Sequence, residues 1–201
     1  MKTMEWFTKN WFKSTLFLAV YTTLLLVLFV MRQNFALFLI WVQLPVYFLH
    51  QFEEYISPGG FLAFFNTNML GSKNPELPLD EKSSFWINVP IIFIAFPVSS
   101  MLAMLFGFSF GIWCAYFSVI NAFSHVGMFF KYRYNPGFWV SLLVNIPVGL
   151  FTIWYFASHQ LIPVSAQIIG LLIGLAIQGL IMIYGLKILK PANKVNTELT
   201  H

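Results

Sequence analysis

The chain has 201 residues, of which 59% are hydrophobic, 19% aromatic and only 9% charged, with a formal net charge of +4. Soluble domains carry about a quarter charged residues, so this composition excludes that class and points to an integral membrane protein without a separate soluble domain. The basic balance is then a topology signal and a means of contact with anionic lipid headgroups, not evidence for nucleic acid, since no spaced basic and aromatic pattern accompanies it.

The amino-terminal MEWFTKNWFK sets Trp6, Phe7, Trp11 and Phe12 beside lysines, which predicts a short interfacial helix. The apolar stretch Ser14 to Met31 exceeds a signal-peptide core of about 7–15 residues, and RQNF follows it in place of a small-residue cleavage site, so it reads as an uncleaved anchor. Apolar runs of about 20 residues, enough to cross a hydrocarbon core, recur along nearly the whole length. They predict an all-α membrane protein, one transmembrane domain over 1–201, with spans at about 14–31, 35–56, 85–106, 108–130, 138–157 and 165–189. The 57–84 connection reads as a cytoplasmic loop: FLAFF is too short to span, and NTNMLGSKNPELPLD is polar and turn-rich. A plain surface loop is the reading adopted, with a lid over a nearby site as the alternative. No charged residue falls between Lys82 and Lys131, a length that fits two spans joined by a tight turn near Gly107 and Gly111. Pro45, Pro90, Pro97 and Pro147 lie within spans and predict kinks rather than ends.

Orientation follows from the connections. An inside amino terminus puts Lys2, Lys9, Lys13, Lys73, Lys82, Lys131, Arg133, Lys187, Lys190 and Lys194 on one side and leaves Arg32 alone on the other, so both termini are expected to be cytoplasmic. The expected location is the cell (plasma) membrane, crossed several times. The single cysteine, Cys114, has no partner for an intrachain disulfide and reads as a packing residue.

Charge inside the spans is the functional lead. The second span carries His50, Glu53 and Glu54 in LHQFEEYI, and the fourth carries Asn121 and His125 in VINAFSHVG. An acidic residue at the centre of a spanning helix costs roughly 2.5–3.5 kcal/mol on insertion scales, so paired glutamates need partners or a polar cavity. Both spans run in the same direction, and at 1.5 Å rise per residue His50 and His125 each lie about 10 Å above the cytoplasmic ends of their helices. Residues at i, i+3 and i+4 share a helical face, so two imidazoles, two carboxylates and an amide can converge, with Asn145 and Asn88 near the same depth. Imidazole plus carboxylate suits a divalent ion, zinc first and iron or manganese as alternatives, with three protein ligands and an open position. The assignment is His50, Glu54 and His125 as ligands, Glu53 as general base, and Asn121 and Asn145 as amides that orient them. The roles of the two glutamates are interchangeable on this reasoning. Two carboxylates are too few for the usual di-iron bundle site of about four. A buried ion pair and the proton relay of a transporter use the same residue types, although no inverted repeat accompanies them.

Other motifs carry less. GFSFG at 107–111 matches G-x-S-x-G without the strand–turn–helix it requires, and Ser109 lies roughly 24 Å from His125 along one helix. Gly170 and Gly174 form a small-xxx-small pattern that marks helix packing and offers a route to homo-oligomers. His159 and His201 read as solvated, and Gln167 and Gln178 as partners of neighbouring helices.

His50-Gln-Phe-Glu53-Glu54 and Asn121-Ala-Phe-Ser-His125 together resemble the membrane proteins named for an HXXEE motif, which also carry a downstream NXXXH motif; YNPG at 134–137 is compatible with that likeness and is also an ordinary turn. The resemblance implies a polytopic membrane protein and supports the choice of residues, but it brings no activity. The reading is a metal-dependent, hydrolase-like enzyme acting on a lipid or hydrophobic substrate, with a proton-coupled small-molecule carrier or a structural or binding protein as alternatives.

The ten-to-one basic asymmetry makes the topology testable. Single cysteines introduced near residues 75 and 134 and at the carboxyl terminus should react with impermeant maleimide only from the cytoplasmic side, and those near 33 and 160 only from the opposite side. A carboxyl terminus labelled from outside is incompatible with six spans and an inside start.

Overall fold

The computed structural model describes residues 2–190; Lys194, His201 and the expected site of the carboxyl terminus lie outside the described residues. The fold is all-helical, and six helices are long and apolar enough to cross a membrane: α1 (Thr3–Phe29), α2 (Phe35–Tyr55), α4 (Glu81–Phe106), α5 (Phe108–Tyr132), α6 (Phe138–Ser158) and α7 (Val164–Leu189). The short α3 (Phe61–Phe64), continued by a π turn over Phe65–Met69, lies in the connection between α2 and α4. The chain is thus a multi-pass membrane protein.

Its burial pattern reverses that of a soluble bundle. Large apolar side chains such as Leu28, Leu143, Leu172 and Leu180 are exposed, while Gln43, His50, Gln51, Ser118, Asn145 and Thr152 are buried. Lipid solvates the first group, and only other side chains or the backbone can satisfy the second. An apolar cluster made by Leu44, Tyr47, Phe48, Ile92, Phe96, Trp113 and Phe117 forms the centre, with Cys114 fully buried in it as a packing residue.

The helix boundaries have local causes. The amino-terminal segment is helical and runs through a 3-10 turn at Trp11–Ser14 into the first apolar stretch, so that α1 is one element. α4 starts at Glu81 because the Asp80 carboxylate accepts from the Ser83 N–H at 2.8 Å, the usual role of an aspartate before a first turn. The spans pass through their prolines. α4 widens into a π turn over Val89–Ala95, which contains Pro90 and precedes Pro97, and α6 does the same over Ser141–Asn145 ahead of Pro147. Widening the turn accommodates a residue that lacks an N–H and crowds the preceding carbonyl. The turn between α4 and α5 passes through Gly107 at φ +118°, where a side chain would be strained.

α7 packs on α5 through glycine. A Cβ at Gly170 would sit 3.0 Å from Ile112 Cγ2, and one at Gly174 would sit 3.0 Å from the Phe117 amide nitrogen. Hydrogen bonds accompany the close approach: Tyr116 donates to Gln167 Oε1 at 2.8 Å, and Asn121 donates to Gln178 Oε1 at 3.2 Å. The face of Gly170 and Gly174, read from the sequence as a route to homo-oligomers, is thus packed against α5 within the chain.

Gly174→Leu should therefore lower stability in detergent by about 1–3 kcal/mol, the usual cost of overpacking. Leu172→Ala, on the lipid-facing side, should stay within about 0.5 kcal/mol. Denaturant titration followed by tryptophan fluorescence measures both.

Candidate metal centre

Three elements meet near the ends of α2 and α5: the last turns of those helices and the first turn of α6. The connection from Arg133 to Gly137 folds back between them. His50, Glu54 and His125 are all buried, and one ligand atom from each lies within 4.8 Å of the others. The distances to the carboxylate are 3.3 Å from His125 Nε2 and 3.7 Å from His50 Nε2, both to Glu54 Oε1. The two imidazole rings meet edge to face with centroids 4.6 Å apart.

The far side of each ring is held. His125 Nδ1 lies 2.8 Å from Asn135 Oδ1 and 3.2 Å from the Pro136 carbonyl. A proline carbonyl can only accept, so Nδ1 carries the proton and donates. In the neutral ring Nε2 is then a bare lone pair facing a carboxylate oxygen at 3.3 Å. Two acceptors at that distance repel unless a cation or proton lies between them. His50 Nδ1 contacts the Ser141 hydroxyl at 3.3 Å, and His50 Nε2 is a buried nitrogen with no hydrogen-bond partner. Two ligands of a tetrahedral ion with bonds of about 2.0–2.1 Å lie roughly 3.3 Å apart, close to both carboxylate distances. The donor set, two imidazoles and one carboxylate, fits a divalent transition ion.

The other expected residues go elsewhere. Glu53 is buried, but its carboxylate is turned to α6, where Oε1 accepts from the Trp139 N–H at 2.9 Å and Oε2 from the Val140 N–H at 2.6 Å. These are orphan donors at a helix start, and a carboxylate there is favoured by both hydrogen bonding and the helix dipole. Asn121 lines the same cavity as Glu54 and His125, with its amide nitrogen on Gln178. Asn145 is drawn away, donating to Ser118 Oγ at 3.0 Å. Asn88 lies at the cavity, accepting from Gln51 and donating to the Tyr55 hydroxyl.

Four contributors escaped the sequence reading: Asn135, Pro136, Gly137 and Ser141. The first three belong to the YNPG string, which was read as compatible with the family likeness and as an ordinary turn, with no role at the site. Gly137 is at φ +92°, and a Cβ there would come within 2.9 Å of His50 Cε1 and 3.0 Å of both Glu54 Cγ and His125 Nδ1. Glycine is therefore needed twice, for the backbone and for the space. The connection α2–α4 also reaches the site, since the Phe61 ring covers His125 at a centroid distance of 5.6 Å.

With the geometry established, the family can be stated. The model of a family described as "Protein of unknown function with HXXEE motif" matches residues 41–152, more than half of the chain. The chain belongs to this family. The matched segment contains both HXXEE and the NXXXH histidine, as well as the Asn135–Gly137 turn that holds it. No curated protein and no solved structure matches. In this HXXEE protein the motif's histidine and first glutamate thus divide their work: His50 faces the second histidine, and Glu53 fastens α6.

Glu53→Ala should leave two buried N–H groups unpaired at a cost of about 1–3 kcal/mol each. The thermal midpoint should fall in the presence of chelator as well as in its absence, because Glu53 holds backbone whether or not the His50–Glu54–His125 group is occupied. A fall seen only in the absence of chelator would place Glu53 among the ligands.

Proposed function

We propose that the chain is a metal-dependent membrane enzyme of hydrolase type, in the cell membrane, which holds one divalent ion at His50, Glu54 and His125 and acts on a lipid or other hydrophobic substrate. One observation carries the reading. A buried carboxylate oxygen faces the Nε2 atoms of two histidines at 3.3 and 3.7 Å, while the proton of one of those rings is committed to the opposite nitrogen. An ion bound there supplies Lewis-acid chemistry. Zinc suits a set of two histidines and one carboxylate, with iron or manganese as alternatives.

The chain's own groups divide the remaining tasks. Asn135 and Pro136 orient His125, and Ser141 touches His50, which is how outer partners fix ligand tautomers. Asn121 offers a buried amide oxygen without a partner beside the same cavity. A general base needs a lone pair aimed at the reacting group. Both oxygens of Glu53 are engaged by amides, so its proposed task is to position α6 and not to move a proton. The cavity next to the ligands has a volume of about 60 Å³, room for a few waters or one small group, and Phe, Ile and Leu make up half of its wall.

A second reading is favoured by the same 3.3 Å approach, since a proton can bridge Glu54 and His125 as well as a metal can, and paired ionisable groups of this kind serve proton-coupled carriers. Elemental analysis separates the two. Protein purified in mild detergent without chelator should hold about one ion per chain, the stoichiometry of a single three-ligand site. His50→Ala and His125→Ala should each remove most of it, and His159→Ala none. An ion absent after supplementation with zinc, iron and manganese, or one that survives both substitutions, rejects the metal centre in favour of the shared proton.

A further inference from the structure

The cavity beside Glu54 and His125 has a side facing the bilayer. Ile87, Asn88 and Ile91 of α4 bound it on one flank, and Ile181, Tyr184 and Gly185 of α7 on the other. Ile87 and Tyr184 also line an outer groove of about 500 Å³, together with Lys82, Ser83 and Trp86. The inner and outer spaces are therefore separated by two half-buried side chains, one from each helix. Nothing polar locks that seam: among the described residues no hydrogen bond or ion pair joins α4 to α7. α7 is held instead on its other side, by the glycine packing and amide contacts with α5. The outer surfaces flanking the seam are apolar and exposed, with Trp86 and Ile94 on α4 and Ile183 and Ile188 on α7. In a membrane those side chains meet lipid, so whatever passes the seam comes from the bilayer.

The chemistry of the path selects the ligand. Its inner wall, made by Ile87, Ile91, Ile92 and Ile181, suits an acyl chain. Its mouth has one cation, Lys82, next to the Ser83 hydroxyl. Asn88, beside the inner polar groups, is six residues further along α4, about 9 Å deeper. A bilayer interface is about 5–7 Å thick on each side, so a lipid with its headgroup at Lys82 carries its first linkage to the chain close to the level of Asn88, beside Glu54 and His125.

We infer that an anionic acyl phospholipid from the leaflet on the basic side of the protein enters between α4 and α7, with its phosphate at Lys82, its chain against Ile87, Ile91 and Ile181, and its chain linkage at Glu54 and His125. This rests on the lipid part of the proposed function and makes it specific. It does not depend on the identity of the ion.

The test uses the full-length protein in vesicles of phosphatidylglycerol and phosphatidylcholine doped with a trace of either lipid carrying a diazirine in its acyl chain, with the labelled residues mapped by mass spectrometry. Diazirine phosphatidylglycerol should label Ile87–Ile92 and Ile181–Tyr184 several-fold more than the outward-facing Leu172 and Leu180. Excess unlabelled phosphatidylglycerol should compete this inner labelling away in the unmodified protein. Lys82→Glu, at an exposed position, should reduce inner labelling by phosphatidylglycerol at least threefold and leave labelling by phosphatidylcholine unchanged. Ile91→Trp with Ile181→Trp, which fill the path, should abolish inner labelling and spare the outer faces. Even labelling around all lipid-facing surfaces, equal inner labelling by the two lipids, or inner labelling indifferent to competitor and Lys82→Glu overturns the inference. Metal content measured on the same samples keeps the two readings apart. An ion without inner labelling leaves the metal centre and removes the lipid path, whereas inner labelling without an ion does the reverse.

Discussion

Two hydrogen bonds that the Trp139 and Val140 amides donate to Glu53 fasten the last turn of α2 to the first turn of α6, and the geometry of the centre descends from that attachment. A helix start in a nonpolar environment has donors that neither lipid nor its own helix can satisfy. A buried carboxylate has the converse problem. Each answers the other, and the pairing fixes where α6 begins. Once it is fixed, the five residues between α5 and α6 have little freedom. Asn135 and Pro136 arrive on one face of His125, and Gly137 passes so close to both histidines that any side chain would collide with them.

Adjacent glutamates serve two places because consecutive helical residues point about 100° apart, at 3.6 residues per turn. Glu53 looks toward α6 and Glu54 toward α5 and the cavity. The motif HXXEE is then two devices sharing one turn of helix. His50 and Glu54, four apart, stack on one face and make two of the three groups that could hold a metal ion, while Glu53 supplies the clamp that brings the outer partners of the third into position. Exchanging the two glutamates' tasks would require rotating α2 by more than a quarter turn, which its buried packing against Phe96, Trp113 and Phe117 resists.

The class of the protein was legible from composition and span length, because hydrocarbon thickness sets the number of residues a crossing helix needs. The meeting of His50 with His125 was accessible from counting alone, since two co-directional helices of known rise place their residues at comparable depth. The destination of Glu53 was not accessible. The start of α6 at residue 138 was legible, but that its free amides point at Glu53 follows from the orientation of its first turn, which only the three-dimensional arrangement shows. Asn145 illustrates the same limit from the other side: depth put it near the centre, but the rotation of α6, altered by the π turn over Ser141–Asn145, carries its amide to Ser118. Gly170 and Gly174 were recognisable as a packing face, and only the three-dimensional arrangement tells that the packed neighbour is α5 of the same chain.

Buried polar atoms in this bundle are met by neighbouring groups at some points and left unpaired at others. A buried polar atom without a partner costs about 1–3 kcal/mol. Where stability alone governs, as at Thr152, the hydroxyl is engaged: it donates to Val148 and accepts from Gln43. Other buried atoms have no hydrogen-bond partner, among them Gln43 Oε1, Asn145 Oδ1, Asn121 Oδ1 and His50 Nε2. His50 Nε2 differs from the rest in facing a buried carboxylate oxygen, which the Nε2 of a second histidine also faces. The clamp at Glu53 and the glycine packing of α7 hold the helices around these groups in place. Close packing elsewhere in the fold thus keeps two imidazole nitrogens and a carboxylate oxygen together in an arrangement that could hold a metal ion.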